Sequence, residues 1–95
     1  MDTLPPAPIE LVAVDRTRNI HRRWSLVAGR DLFGRVVVET DWGRIGRRGQ
    51  QLVKSFADEA AALRHIRMLL ARRRSAERRL GVGYVAREDM DVRAC

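Results

Sequence analysis

The stretch "DWGRIGRRGQ", residues 41–50, concentrates residue types that together can bind a planar anion. A tryptophan stands directly before three glycines spaced three apart, and arginines lie between the glycines. A glycine-rich loop leaves backbone amides free for an anion, and arginine adds fixed positive charge. The tryptophan ring offers a flat surface on which a base or sugar can stack, an interaction worth about 1 to 3 kcal/mol. The stretch therefore predicts a contact site for nucleic acid.

The same ten residues also have a purely structural interpretation. Glycine permits positive φ in tight turns, tryptophan can pack on a core, and arginines can simply be solvated. Two features favour binding: a turn needs only one or two glycines, and Arg44, Arg47 and Arg48 are concentrated on one loop. The binding interpretation depends on Trp42 facing outward beside these guanidinium groups.

The glycine spacing differs from that of well-known phosphate-binding loops. Neither G-x-G-x-x-G nor G-x-x-x-x-G-K-[ST] occurs in the chain. The segment "GRRG" matches the GXXG clamp of KH domains, but that clamp joins two helices, and this one lies between predicted strands. We therefore reject a KH domain.

Alternating apolar residues predict the strands that must position this loop. The strand signals are "IELVAVD" from Ile9, "RRWSLVAG", "RVVVETDW" and "GQQLVKSF", with a polar turn at "RTRN" and a hairpin connection at residues 29–34. Trp24, Leu26 and Ala28 fall on one face of the second strand. Because the connections are short, the sheet is predicted to be antiparallel.

From Asp58 the apolar period changes to that of an amphipathic helix, with Asp58 as N-cap and Gly81 as its stop. Its apolar face comprises Ala62, Leu63, Ile66, Leu69 and Leu70. Beyond Leu70 the helix is expected to be solvated unless an anion or a partner covers it. The run Arg72, Arg73, Arg74, Arg78 and Arg79 is either a solvated face or a second phosphate-contacting surface.

These elements predict an α+β fold, an antiparallel sheet of about four to five strands with one long amphipathic helix packed on it. Residues 1–8 contain all three prolines and are expected to form a disordered tail. Residues 9–88 form the domain, in which "GVGYVARE" adds a short final strand, and residues 89–95 form a frayed tail.

Composition points to an anionic partner. The 95 residues carry a net charge of +7, and all 19 basic residues except Lys54 are arginine. The arginine fork binds phosphate in a bidentate manner and stacks on flat rings, so the bias favours anionic, planar partners, although genomic base composition also favours arginine codons in some organisms.

Other residue types exclude several function classes. His21 and His65 lack metal-ligand spacing, and no acid–base pair or nucleophilic set is visible, so we expect no enzyme, no metal and no cofactor. The lone Cys95 fits a reducing compartment. Without a signal peptide or an apolar span, the expected location is the cytoplasm, at the nucleoid if the protein binds DNA.

The chain resembles the WGR domain family, whose short, stand-alone bacterial members it is most similar to. The resemblance covers residues 19–84 and is carried by Asn19, Arg23-Trp24, "DLFG" at 31–34, "WGRIG" at 42–46 with Gly49-Gln50, Phe56, and Gly83-Tyr84. It implies an antiparallel sheet with one helix. In eukaryotic poly(ADP-ribose) polymerases this domain binds DNA at strand breaks, its Trp stacking near the terminal nucleotide and its Arg meeting backbone or a neighbouring domain.

The resemblance implies that Trp42 is a stacking platform and Arg44 a charged contact. Two departures limit it. Trp24-Ser25 stands where the family usually has Phe-Tyr, so any contact of that Tyr is lost. These 95 residues are expected to contain no catalytic domain, so the resemblance implies nothing about ADP-ribosylation.

The leading hypothesis is a structure-selective nucleic-acid-binding module that recognises ends, nicks or single strands rather than base sequence. DNA is the expected partner, with RNA left open. The predicted contact residues are Trp42, Gly43, Arg44, Arg47, Arg48 and Lys54. The alternative is a protein–protein adaptor that presents the same Trp and Arg surface to an acidic protein or to a second copy of itself.

Overall fold

The computed structural model describes residues 3–88, which form one antiparallel sheet with a helical layer on one face. The strands are β1 (Ile9–Asp15), β2 (Ile20–Arg30), β3 (Val36–Arg44), β4 (Gln50–Phe56) and β5 (Val85–Ala86). They are arranged in the order β4-β3-β2-β1-β5, and every neighbouring pair is antiparallel. The predicted α+β class is confirmed, and the predicted short final strand is β5.

Short connections join consecutive strands, as the sequence predicts. The polar segment after β1 forms a single 3-10 turn, Arg16–Arg18, and Asn19 ends it in the left-handed conformation with φ 55°. Asn tolerates this conformation better than most residues. β2 and β3 form a hairpin, and β3 leads into β4 through residues 45–49. The β2–β3 register places Trp24 opposite Trp42 and Leu26 opposite Thr40.

The predicted helix is confirmed, with one interruption. It consists of α1 (Glu59–Arg74) and α2 (Ala76–Leu80), which are separated by Ser75. The Asp58 carboxylate accepts a hydrogen bond from the Ala61 amide at 2.8 Å, so Asp58 is the N-cap. Gly81 ends α2 with φ 78°, a left-handed conformation that glycine adopts at low cost.

The hydrophobic core lies between α1 and one face of the sheet. Its buried members are Trp24, Leu26, Val36, Val38, Ala62 and Ile66. Residues directly opposite one another on neighbouring strands share a face, so the register brings Trp42 onto this helix-bearing face beside Trp24. Trp24 is the largest fully buried side chain, only 2 % exposed.

Two terminal segments differ in part from the expectation. The helix beyond Leu70 is not simply solvated, because Ala76 is buried and Arg73 is half-buried. The expectation was wrong at Arg73 because its guanidinium group stacks on Trp24 of the sheet and on Tyr84 of the segment after Gly81. Residues 3–8 contain no helix or strand, yet Leu4 packs against the core. Residues 1 and 2 of the predicted N-terminal tail and the frayed tail predicted for residues 89–95 lie outside the described residues.

A polar cluster fastens the turn after β1 to the end of α2. The Asp15 carboxylate accepts hydrogen bonds from the Thr17 amide, the Thr17 hydroxyl and Arg18 Nε, at 3.1, 2.6 and 2.7 Å. Arg18 Nη1 in turn donates to the Leu80 carbonyl oxygen at 2.7 Å. The hydrogen bond from Thr17 and that from Arg18 lower the pKa of Asp15 from 3.8 to about 2.

We predict that Asp15→Asn lowers the melting temperature at pH 7 and that this loss disappears near pH 2. Because the folded-state pKa is depressed, the ionised Asp15 stabilises the fold above pH 3.8, and this contribution is lost as pH falls towards 2. Thermal unfolding of both proteins at several pH values measures the difference. An equal loss at every pH would contradict the prediction.

Candidate nucleic-acid interface

An open cleft of about 390 Å³ lies at the end of the sheet where β2 begins and β3 ends. The side chains that matter for chemistry are Asn19, Arg22, Trp42, Arg44, Arg73 and Tyr84, and no carboxylate is among the residues that line it. β2, β3, the end of α1 and the segment before β5 all contribute. The cleft is therefore a cationic and aromatic surface that only the folded chain assembles.

Trp42 is half-buried in this cleft. Its ring packs partly against the core cluster beside Trp24 and also forms part of the cleft wall. The expectation that the ring faces outward therefore holds only for the part of it that borders the cleft. That part is available for a flat ligand, while the remainder fixes the orientation of the ring.

Two arginines face each other across the strands at the cleft. Arg22 of β2 is directly opposite Arg44 of β3. Like charges directly opposite each other destabilise a sheet. Within residues 3–88 neither side chain pairs with a carboxylate, and Arg44 instead donates to the Asn19 amide oxygen at 2.9 Å. A phosphate between the two guanidinium groups would relieve this repulsion.

Arg73 adds a third guanidinium group from the helical layer. It lies 5.0 Å from the centre of the Trp24 ring and 5.6 Å from that of Tyr84, both within cation–π range. Its Nε is buried and has no hydrogen-bond partner, and Arg73 forms no ion pair with any residue from 3 to 88.

Sequence analysis singled out neither Arg22 nor Arg73 as a cleft residue. Tyr84 packs against the core cluster and also lies against Arg73.

A second network, on the opposite face of the sheet, holds the loop after β3. Arg23 Nη1 donates to Asp41 at 2.7 Å, and Arg23 Nη2 donates to the Arg47 carbonyl oxygen at 2.9 Å. The Ile45 amide donates to the His21 carbonyl oxygen at 2.9 Å. Arg23 also borders the cleft, but unlike Arg22, Arg44 and Arg73 it is neutralised by a carboxylate, and its hydrogen bonds hold the loop.

The backbone geometry of the loop explains why each of its three glycines is a glycine. A Cβ atom on Gly43 would lie 2.9 Å from Gly49 Cα, and one on Gly49 would collide with the Trp42 carbonyl oxygen. Gly46 has φ 80°. The expectation that one or two glycines would suffice is wrong, because two backbone segments touch where the loop closes. The number of glycines therefore does not indicate an anion site. The arginines are the residues that still indicate one.

The remaining predicted contact residues lie outside the cleft lining. Arg47 and Arg48 are exposed on the β3–β4 connection, beside the cleft. Lys54 lies further along β4, opposite Val38 and close to His65. Burial of His65, followed by the charges of Lys54 and Arg72, lowers the pKa of this histidine. The structure thus groups Trp42, Gly43 and Arg44, while nucleic-acid contact by all six residues stays a prediction.

Gly49→Ala is expected to lower the free energy of unfolding by roughly 2 kcal/mol, because the new methyl group has no space where the loop closes. Gly29→Ala is the matched control, since its Cβ would meet no atom within 4 Å. Denaturant unfolding of the two variants measures the difference. Equal stabilities would show that the close approach at Gly49 is unimportant.

Comparison with known proteins gives a family match. The family model described as WGR domain matches residues 8–81. The chain is 33 % identical over 69 residues to "Uncharacterized protein y4dW" of Sinorhizobium fredii (strain NBRC 101917 / NGR234). This match covers 73 % of the chain and 34 % of that relative, so the chain spans about a third of the length of the curated relative. The search of solved structures found no match.

No helix among residues 3–88 has the length and hydropathy needed to cross a membrane. That part of the chain also contains no group of three or more His, Cys, Asp or Glu side chains able to hold a metal ion. The family match extends over most of the described fold and includes the tripeptide Trp42-Gly43-Arg44 at the cleft. The chain belongs to the WGR domain family.

Proposed function

We propose that this WGR domain binds DNA at ends, nicks or single strands through the cleft of Arg22, Trp42, Arg44 and Arg73. The observation that carries the proposal is the grouping of three arginines without carboxylate partners beside a partly exposed indole, within residues 3–88. The family supports the general class, because WGR domains are nucleic-acid-binding modules.

The charge of the cleft suits phosphate. An arginine paired with a carboxylate has little attraction left for a ligand, whereas an unpaired guanidinium can donate two parallel hydrogen bonds to a phosphate. Arg22, Arg44 and Arg73 all belong to the unpaired kind within the described chain. The exposed Arg47 and Arg48 extend the positive surface beyond the cleft and suit contacts with the neighbouring backbone.

The half-buried state of Trp42 favours a break over intact duplex. The faces of bases inside a duplex are covered by their stacked neighbours, so a ring fixed in a cleft wall reaches only a terminal sugar or an unstacked base. Ends, nicks and single strands supply such groups. Phosphate contacts and shape dominate this mode of binding, so it selects DNA structure rather than base sequence.

Competition separates this function from a protein adaptor. A polymer of glutamate supplies carboxylates without flat rings or phosphates. If the cleft recognises nicked DNA, a nicked duplex will displace a labelled nicked duplex much better than the polymer does at equal charge. Equal competition would instead support an adaptor for an acidic protein.

We expect Trp42→Leu to abolish the preference for a nicked over an intact duplex, which stacking sets at roughly tenfold. Leucine retains an apolar side chain against the core but removes the flat ring. Arg47→Ala is the control, and it should weaken binding to both duplexes equally. Fluorescence anisotropy titrations measure the ratio of the Kd values for the intact and the nicked duplex. An unchanged ratio in Trp42→Leu would contradict the stacking role of Trp42.

Arg73→Gln is expected to reduce the salt dependence of binding by about 0.9 in the slope of log K against log salt, which corresponds to one phosphate contact. Arg74→Gln is the matched control, because Arg74 is exposed and lies outside the cleft lining. Titrations at several salt concentrations give both slopes. Identical slopes for the two variants would place Arg73 outside the interface while leaving the roles of Trp42 and Arg44 intact.

A further inference from the structure

The hairpin between β2 and β3 presents two large apolar side chains to solvent. Leu32 is 100 % exposed and Phe33 is 87 % exposed. The Asp31 carboxylate accepts hydrogen bonds from the Phe33 and Arg35 amides, each at 2.9 Å, and the Asp31 amide donates to the Arg35 carbonyl oxygen at 2.9 Å. We call residues 32–33 the tip. Because its backbone is fixed in advance, the tip loses little conformational freedom on binding.

A shallow apolar depression lies next to the tip, on the face of the sheet that carries no helix. It measures about 310 Å³ and is lined by Val27, Gly29, Arg30, Asp31, Val37 and Glu39. Val53 continues this surface across Glu39, and Val27 and Val53 are 44 % and 53 % exposed. Gly29 leaves open space where a side chain would otherwise stand. The depression therefore has the size and character to receive an aromatic side chain.

Tip and depression carry complementary charges. Glu39 lies in the depression and forms no ion pair with any residue from 3 to 88. Arg35 flanks the tip, and its only hydrogen bond within these residues outside the hairpin backbone is to the neutral Ser55 hydroxyl, at 2.7 Å. Arg30, the cation that also lines the depression, lies 3.9 Å from the Glu59 carboxylate, which leaves Glu39 without an ion-pair partner among residues 3–88. A surface that offers an apolar projection beside a cation and an apolar depression beside an anion is complementary to itself.

We infer that this end of the sheet is a dimer interface in which each copy inserts its tip into the depression of a second copy. Phe33 fills the space beside Gly29, and Arg35 meets Glu39 of the other copy. A two-fold axis produces both contacts at once, because the two patches are adjacent on one chain. The two tips and the two valine surfaces together bury on the order of 1,000 Å², the lower bound for a specific interface.

The inferred interface is separate from the nucleic-acid cleft. Along β3, Val36 at the tip end and Trp42 at the cleft end are about 20 Å apart. Dimerisation therefore leaves both clefts open, and the inference stands or falls independently of DNA binding.

Sedimentation velocity over a range of concentrations tests the interface. The wild-type chain should show a concentration-dependent dimer, and Phe33→Ser should weaken it roughly 30-fold, as for a central aromatic anchor. Met68→Ser is the control, because Met68 is an exposed apolar residue on α1, away from the tip. If the wild-type chain stays monomeric at protein concentrations up to about 1 mM, its dimer Kd is too weak for a specific interface, and the inference is overturned. A dimer that Phe33→Ser leaves unchanged also overturns it.

A charge exchange tests whether tip and depression bind each other. Arg35→Glu and Glu39→Arg each place like charges at both contacts of a symmetric dimer, so each variant alone should be monomeric. Mixed together, the two variants restore an opposite-charge pair at both contacts and should form a heterodimer. Circular dichroism checks that both variants fold. A mixture that remains monomeric, or a single variant that dimerises like the wild type, contradicts the inferred pairing.

Discussion

The register between β2 and β3 is the constraint on which both the core and the cleft depend. A shift of one residue would move every side chain of a strand to the opposite face of the sheet. Trp24 prevents this shift, because its ring is almost completely buried under the helix and would be exposed to water on the other face. The buried Val36 and Val38 fix the face of β3 in the same way, and in the observed register Trp42 lies beside Trp24 and Arg44 faces Arg22. The core residues of the two strands thus determine which charges meet at the cleft.

The same tryptophan connects the helical layer to the cleft. Arg73 is positioned by the rings of Trp24 and Tyr84, so a side chain from the end of α1 is ordered by one residue of the sheet and one of the segment before β5. Stacking on aromatic rings leaves the charge of a guanidinium uncompensated, whereas an ion pair neutralises it. Arg73 is therefore ordered without a counter-charge, as is Arg44 by its hydrogen bond to the Asn19 amide oxygen. The consequence is electrostatic repulsion in the free protein, which a bound anion would offset.

Local patterns predicted most of the fold. The alternation of "IELVAVD", the valines of β3 and the 3.6-residue period after Asp58 each act over a few residues, and the corresponding elements are all present. The cleft was less predictable because its members are distant in sequence. Nothing near Arg73 distinguishes it from Arg72 or Arg74, and it is half-buried because it packs against Trp24 and Tyr84. The half-burial of Trp42 likewise depends on the helix, and the close contact of Gly43 with Gly49 depends on how the loop closes.

Repulsion among the cleft arginines links binding to stability. A ligand that binds only the folded state stabilises it by an amount that grows with ligand concentration over Kd. In most surface ion sites this gain adds to an already relaxed structure. Here the free state contains Arg22 directly opposite Arg44, so under the proposed function part of the gain would be the removal of this electrostatic strain. A neutral planar ligand would stack on Trp42 without removing that strain. Under the proposed function, the arrangement would therefore favour ligands that combine a flat group with a phosphate, which is the chemical description of a nucleotide.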